Sequence, residues 1–348
     1  MNADALATLN QHLHAALAAL PDETRRLFHG RGRRWPGLEQ ITVDWMQGVL
    51  LVCLFREPAA EELDALKRLL RALGETPAWR SSGARTLLLQ HRYLPDSATE
   101  ALIGEAIEEA VISEGGLRFL LDFGRKQNSG LFLDMRYGRR WVQANAAGKR
   151  VLNLFAYTCG FSVAALAGGA EQVVNLDMAR AALSRGRDNH RLNDQDLQRV
   201  SFLGHELFKS WGKVRKLGPY DLIVIDPPSF QKGSFALTQD YQKILRRLPE
   251  LLNAGGSVLA CVNDPGIGAD FLVDGMAREA PALRFVERLE NPPEFADIEA
   301  DGGLKALVFR QDWAPGIPGR SSVESPRPAK AQPRAARRRI IPVYNARS

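Results

Sequence analysis

The feature that most constrains this chain is an alternation between residues 116 and 312. Short apolar runs at 150–155, 173–177, 200–203, 220–226 and 257–262 are separated by stretches with helical spacing. Runs this short, without polar alternation, are strands buried on both faces. Strands of that kind, each followed by a helix, make a parallel sheet covered by helices on either side. Residues 283–289 and 304–309 add two late strands. The reading is an α/β domain over 116–312.

Residues 1–115 read differently, as a smaller α+β domain. Residues 5–20 are apolar at helical spacing and limited by Pro21. Residues 40–55 read as two strands about a turn near Gly48. Leu63, Leu66, Leu69, Leu70 and Leu73 share one face of a helix over 59–73. Ser97 with Glu100 fits a capping box and predicts a further helix. Arg25, Arg26, Arg31, Arg33 and Arg34 precede Trp35-Pro36-Gly37. That cluster reads first as a solvated loop and second as a contact for nucleic-acid phosphates.

The charge is unevenly spread. Seven arginines and Lys330 against Glu324 give residues 313–348 a charge of +7, while the whole chain carries +6. The body is therefore near neutral, and the basicity belongs to a proline-rich tail. That tail reads as disordered, and equally as a nonspecific RNA contact or as a solvated solubility segment. The three cysteines, Cys53, Cys159 and Cys261, are too far apart for a disulfide scaffold or a CxxC metal site. No apolar run is long enough to cross a membrane, and the N-terminus lacks a basic leader, so a cytoplasmic location is expected. His12 and His14 point to different helical faces and the other histidines are isolated, so no metal is expected.

The chemistry should sit where the strands end. The first strand of the alternation runs into Asn153-Leu154-Phe155-Ala156-Tyr157-Thr158-Cys159-Gly160. A strand entering a small-residue turn before a helix lets a ligand approach the backbone. One glycine is too few for a GxGxxG fingerprint, which disfavours a nicotinamide dehydrogenase. The next strand ends on Asp177, an acid placed to accept both hydroxyls of a ribose. Glu206 follows the third strand and could face an adenine amino group. The fourth ends Asp226-Pro227-Pro228-Ser229-Phe230. Prolines remove N–H donors, so this loop offers the Asp226 carboxylate and the Pro227 carbonyl to an amino group on a planar ring. Phe230 could stack on that ring. Tyr157 reads either as a wall of the transfer pocket or as packing.

These stretches, with Gly130-Leu131-Phe132-Leu133-Asp134-Met135-Arg136 and the pair Asn189 and Asn193, resemble class I S-adenosylmethionine-dependent methyltransferases. More narrowly they are similar to the bacterial 23S rRNA large-subunit enzymes that modify guanine N7 or cytosine C5. The resemblance implies a Rossmann-like, seven-stranded, mostly parallel sheet whose last strand is antiparallel. It implies S-adenosylmethionine as cofactor, held by Asp134, Arg136, Asn153, Phe155, Tyr157, Thr158, Gly160, Asp177, Glu206 and Asp226. Asp226, Pro227 and Phe230 would form the catalytic loop. Two departures stand out: Cys159 replaces a usual glycine, and Asn263 stands where the cytosine-C5 enzymes carry a cysteine. An RNA-binding domain like that of many relatives is not evident at the N-terminus.

Guanine N7 has a free lone pair at neutral pH and needs no general base, so positioning would carry the reaction. Cytosine C5 needs a thiolate adding at C6. The expected reaction is therefore methyl transfer to guanine N7 of 23S rRNA, on RNA or a ribosomal assembly intermediate. The alternatives are cytosine C5, a small-molecule or protein acceptor, and an RNA-binding protein without catalysis.

Overall fold

The computed structural model describes residues 1–124, 127–231 and 235–312, without the side chains of Phe230 and Gln231. The basic tail at 313–348 lies outside the described residues.

The chain opens with α1 (Ala3–Leu17), whose Leu9, Leu13 and Leu17 are buried at helical spacing. β1 (Arg25–His29), β2 (Ile41–Trp45), β3 (Val49–Leu54), α2 (Ala60–Leu73), α3 (Pro77–Ser81), β4 (Thr86–His91) and β5 (Thr99–Ile103) follow. The strands form one sheet in chain order, with β3 and β4 parallel and the other pairs antiparallel. β3 shows why both faces are covered. Leu50, Val52 and Leu54 pack with α1 and α2, while Val49, Leu51 and Cys53 face a second core. Side chains alternate across a strand, so an unbroken apolar strand must be buried twice.

One expectation fails here and another holds only in part. The helix expected from Ser97 is instead β5. Ser97 has φ +47°, outside the extended geometry of an N-cap, and it closes a turn onto the Leu94 carbonyl at 2.9 Å. The arginine cluster is a solvated loop only in part, with Arg31 and Arg34 exposed after β1. Arg26 lies in β1 and donates to both carboxylate oxygens of Asp44, at 2.7 and 3.0 Å.

β6 (Glu109–Glu114) and β7 (Leu117–Asp122) form a hairpin turned by Gly115 and Gly116, both at positive φ. Asn189 and Asn193 dock it. Their side-chain oxygens accept from Leu120 N at 2.9 Å and Arg118 N at 2.8 Å. The hairpin residues Ile112, Phe119 and Leu121 share a core with Leu51, Leu88, Leu131 and Phe295.

The remainder holds α4 (Arg136–Asn145), β8 (Arg150–Leu154), α5 (Gly160–Ala167), β9 (Gln172–Leu176), α6 (Arg180–Leu192), β10 (Val200–Leu203), α7 (Trp211–Leu217) and β11 (Tyr220–Ile225). After a small pair, β12 (Phe230–Gln231) and β13 (Phe235–Ala236), come α8 (Leu237–Leu245), α9 (Leu248–Leu251), β14 (Leu252–Val262), α10 (Asp270–Glu279), β15 (Leu283–Leu289) and β16 (Lys305–Gln311). The seven-stranded sheet runs β10-β9-β8-β11-β14-β16-β15. The pairs from β10 to β14 are parallel, and β16 is antiparallel to both its neighbours. The strand order reverses beside β8, so a crevice opens at the carboxyl ends of β8 and β11. Among the described residues no helix is long and apolar enough to cross a membrane.

Candidate active site

The loop after β8 is the centre of the site. Phe155, Tyr157 and Cys159 all adopt left-handed backbone, with φ of +57°, +48° and +64°. Each such residue costs about 1 kcal/mol or more, so the surroundings must hold it. They do so with several bonds. Ala156 N donates to the Leu176 carbonyl at 3.0 Å, and Tyr157 N to Asp177 Oδ2 at 2.8 Å. Asn189 Nδ2 donates to the Thr158 carbonyl at 2.9 Å, and Thr158 Oγ1 to the Gly130 carbonyl at 2.5 Å. Cys159 occupies a position that favours glycine. Its side chain turns away from the crevice and packs between Ala156 and Leu183.

These bonds shape a cleft of about 570 Å³, a size suited to a nucleoside-sized ligand. Phe155, Tyr157, Thr158, Gly160, Asp177, Asp134, Asp226 and Pro227 all line it. A Cβ at Gly160 would fall 3.3 Å from Leu131 and 3.4 Å from Arg139, so a side chain there would narrow the cradle. Asp177 Oδ1 also accepts from Ala179 N at 2.7 Å. Each oxygen thus takes one backbone bond and keeps lone pairs for a diol. Burial pushes its carboxyl up from the usual range. A nucleoside cofactor fits this cleft on size, cradle and donor set.

Other expected residues sit elsewhere. Glu206 accepts from Phe208 N at 2.7 Å and lines a small neighbouring recess with Phe155 and Asp177. Asn153, expected among the cofactor contacts, is fully buried and donates to Asn175 Oδ1 at 2.8 Å. From there a chain of polar groups runs through Ser162 to His190, which burial holds neutral, down to about 4. Asn153 therefore braces the loop from beneath. Arg136 is also corrected. It pairs with Glu294 at 2.8 Å, outside the cleft. Arg139, one helical turn on, lines the cleft instead. Both oxygens of buried Glu114 hold it, at 2.7 and 2.8 Å. The Phe230 side chain lies outside the described residues.

At the far wall the chemistry changes. Asp226 follows β11 beside Pro227, and burial together with the Asp134 carboxylate pushes it up to about 7. Asp134 is raised too, chiefly by burial. Asn263, at the end of β14, donates to Asp134 Oδ2 at 2.9 Å. Asp134, Asn263, Arg92, Asn128 and Phe132 also line a second cavity of about 270 Å³. Its other wall is the inner face of the five-stranded sheet, with Thr42, Asp44, Cys53 and Gln90. Sequence reading missed this cavity, because its walls come from segments far apart in the chain. Among the described residues no cluster could hold a metal.

Comparison with known proteins accords with this geometry. A family model described as S-adenosylmethionine-dependent methyltransferase matches residues 25–310. The ribosomal RNA large subunit methyltransferase I of Aeromonas hydrophila is 34% identical over 290 residues, covering 79% of this chain and 72% of the relative. The protein of the same name from Aeromonas salmonicida is 35% identical over 216 residues, covering 58% of this chain. The matched part spans only 54% of that relative's length. The crystal structure of SMU.776, assigned there as a methyltransferase and complexed with S-adenosylhomocysteine, superposes with a TM-score of 0.75 at 24% identity. It covers 88% of this chain and 80% of the other. That likeness concerns the fold.

Proposed function

Because the chain belongs to the S-adenosylmethionine-dependent methyltransferase family, we propose that this enzyme methylates a nucleobase of large-subunit ribosomal RNA. Both Aeromonas relatives are named for that RNA. One observation carries the reading: Asp134 stands on the wall shared by the cofactor cleft and the second cavity, and Asp226 lines the cleft close enough to feel its charge. A base entering there meets two carboxylates beside the site of methyl donation.

Bound S-adenosylmethionine supplies a methyl group on a sulfonium centre. The chain's own residues orient what receives it. Asp177 and the 155–160 loop hold the nucleoside end, and Arg139, fixed by Glu114, forms the wall beside Gly160. Asp226 and the Pro227 carbonyl accept from amino or imino hydrogens of a base taken out of its stack. In-line alignment of a lone pair with the methyl group is the main contribution.

The acceptor we favour is a ring nitrogen, with guanine N7 as the first choice. The names of the relatives state no base, so this choice rests on the residues alone. Asn263, not a thiol, faces the junction with Asp134. Cytosine C5 is the second reading, since Cys53 lines the second cavity. We also take residues 1–115 as a smaller α+β domain that docks the RNA.

The test is mass mapping of nucleosides from 23S rRNA of cells with and without the protein, followed by methylation of the unmodified rRNA in vitro. One methylated base that disappears with the protein and returns in vitro is the expected result. An unchanged rRNA, with methyl transfer to a protein or small molecule instead, would overturn the proposal.

A further inference from the structure

We propose that Arg31, Phe55 and Arg92 form a clamp for the RNA backbone phosphate beside the methylated nucleotide. The guanidinium carbons of Arg31 and Arg92 lie 4.4 and 4.7 Å from the centroid of the Phe55 ring. Two cations therefore share one aromatic ring in the wall of the second cavity. Among the described residues neither has a carboxylate within ion-pair distance. The other arginines nearby are neutralised. Arg26 is paired with Asp44, and Arg33 with Asp297 and Glu299. His29 adds no charge, because burial and the neighbouring arginines hold it neutral down to about 3. Arg92 donates to Asn128 Oδ1 at 2.8 Å, while its buried Nε has no partner.

Like charges held together without a counter-ion are costly, and the cost is relieved by an anion between them. The cavity carries both signs of charge. Asp134, held by Asn263, stands with Arg92 on the wall shared with the cofactor cleft, and Arg31 lines the second cavity only. A nucleotide carries the complementary pattern, with a phosphate anion at one end and base hydrogens at the other. The clamp would fix the phosphate so that the base reaches Asp134 and Asp226. It rests on the RNA reading given above.

A single anion could instead come from the carboxylate of the cofactor, since Arg92 also lines that cleft; Arg31 does not. The test therefore turns on Arg31. Binding of an unmodified 23S rRNA transcript is measured against salt, its methylation by KM, and S-adenosylhomocysteine affinity by calorimetry. Arg31→Gln should raise KM for the transcript about tenfold and flatten the salt slope by about 0.7. Its affinity for S-adenosylhomocysteine should stay unchanged, and Arg92→Gln should raise KM similarly. Arg31→Lys should keep the slope, and it replaces Arg31→Gln if that variant does not fold. Loss of the slope in Arg31→Lys would overturn the clamp. So would an unchanged slope and KM in Arg31→Gln, which leave the rRNA assignment standing. Weaker S-adenosylhomocysteine binding with an unchanged RNA slope would assign the anion to the cofactor. A native protein that neither binds nor methylates the transcript would remove the RNA reading and the clamp with it.

Discussion

Asn263 Nδ2 donates to Asp134 Oδ2 at 2.9 Å, joining the end of β14 to the turn before α4. The bond fixes an acid at the junction of the two cavities. Asp134 in turn raises Asp226. Asn263→Asp would replace a donor with a third carboxylate in this group. Like charges disfavour ionisation, so the Asp226 midpoint should move up. The measurement is the pH dependence of kcat/KM, with an expected upward shift of about one unit. An unmoved midpoint would remove Asp134 from the electrostatics of the site.

Asp226 itself should link activity and stability in opposite directions. Its carboxyl lies at about 7 in the fold, against an ordinary value of 3.8. The folded state thus holds the proton more tightly than the unfolded one. Its contribution to stability is complete below about pH 4 and is lost as pH rises to 7. Activity that needs the carboxylate should rise over the upper part of that range. Asp226→Asn should gain on the order of 1–2 kcal/mol at pH 8, because the group is only partly desolvated. It should also lose most activity and flatten the pH profile. Denaturant melts at pH 5 and pH 8 check the first part, and rates across pH the second.

Asp177 does two things at once: it offers oxygens to the cleft and it holds Tyr157 N at 2.8 Å. Asp177→Ala should weaken S-adenosylhomocysteine binding by about 1.5–3 kcal/mol for a charged hydrogen bond lost. Release of the strained 155–159 loop should add to that. Asp177→Asn keeps an acceptor and should lose less. Calorimetry that ranks the two variants equal would argue that the charge is not used.

The packing behind the loop gives a coupled pair. A Cβ at Gly186 on α6 would overlap Cys159 Sγ. Gly186→Ala should therefore destabilise the fold by about 1–3 kcal/mol through overpacking. Cys159→Gly removes the obstructing thiol and suits φ +64°. The double variant should recover most of the loss, and its coupling energy is readable from a double-mutant cycle. Additive effects would show that α6 does not bear on the loop.

The parallel strands were legible because each holds a short, largely apolar run. Asp177 and Asp226 follow their strands directly, so the strand ends point to both. Asn153 is the instructive failure. It belongs to the same strand as the cofactor loop, but strand pleating alone decides which way its amide faces, and that direction is toward Asn175. Arg136 and Arg139 look alike in the sequence. Glu114, on the β6–β7 hairpin, and the Phe132 carbonyl select Arg139 for the cleft. Ser97 carried capping-box spacing but sits in a left-handed turn, and the residues after it pair with β4 as β5. Arg31 belongs to the cluster read second as a phosphate contact, but Arg92 and Cys53 had no local signal, since only the pairing of β1 to β4 in one sheet brings them to the same cavity.

The cysteines decide between the acceptor atoms. Methylation at cytosine C5 needs a thiolate to add at C6. Cys261 lies inside β14, packed with Val151 and Val224. Burial, with Asp226 and Asp134 nearby, pushes its thiol well above the ordinary range. The Tyr241 hydroxyl braces the same residue by donating to its carbonyl at 3.1 Å. Cys261→Ser should therefore keep at least a substantial fraction of activity. Cys53 is the thiol that reaches a cavity wall, and it donates to Gln90 Oε1 at 3.5 Å. Burial and Asp44 push it up to about 12, so it too is protonated at neutral pH. With a ring-nitrogen acceptor, Cys53→Ser should change kcat by no more than about threefold, ~0.7 kcal/mol. A 23S rRNA transcript carrying 5-fluorocytosine should then form no covalent adduct with the native enzyme. An adduct that vanishes in Cys53→Ser and persists in Cys261→Ser would assign the reaction to cytosine C5 and make Cys53 its nucleophile.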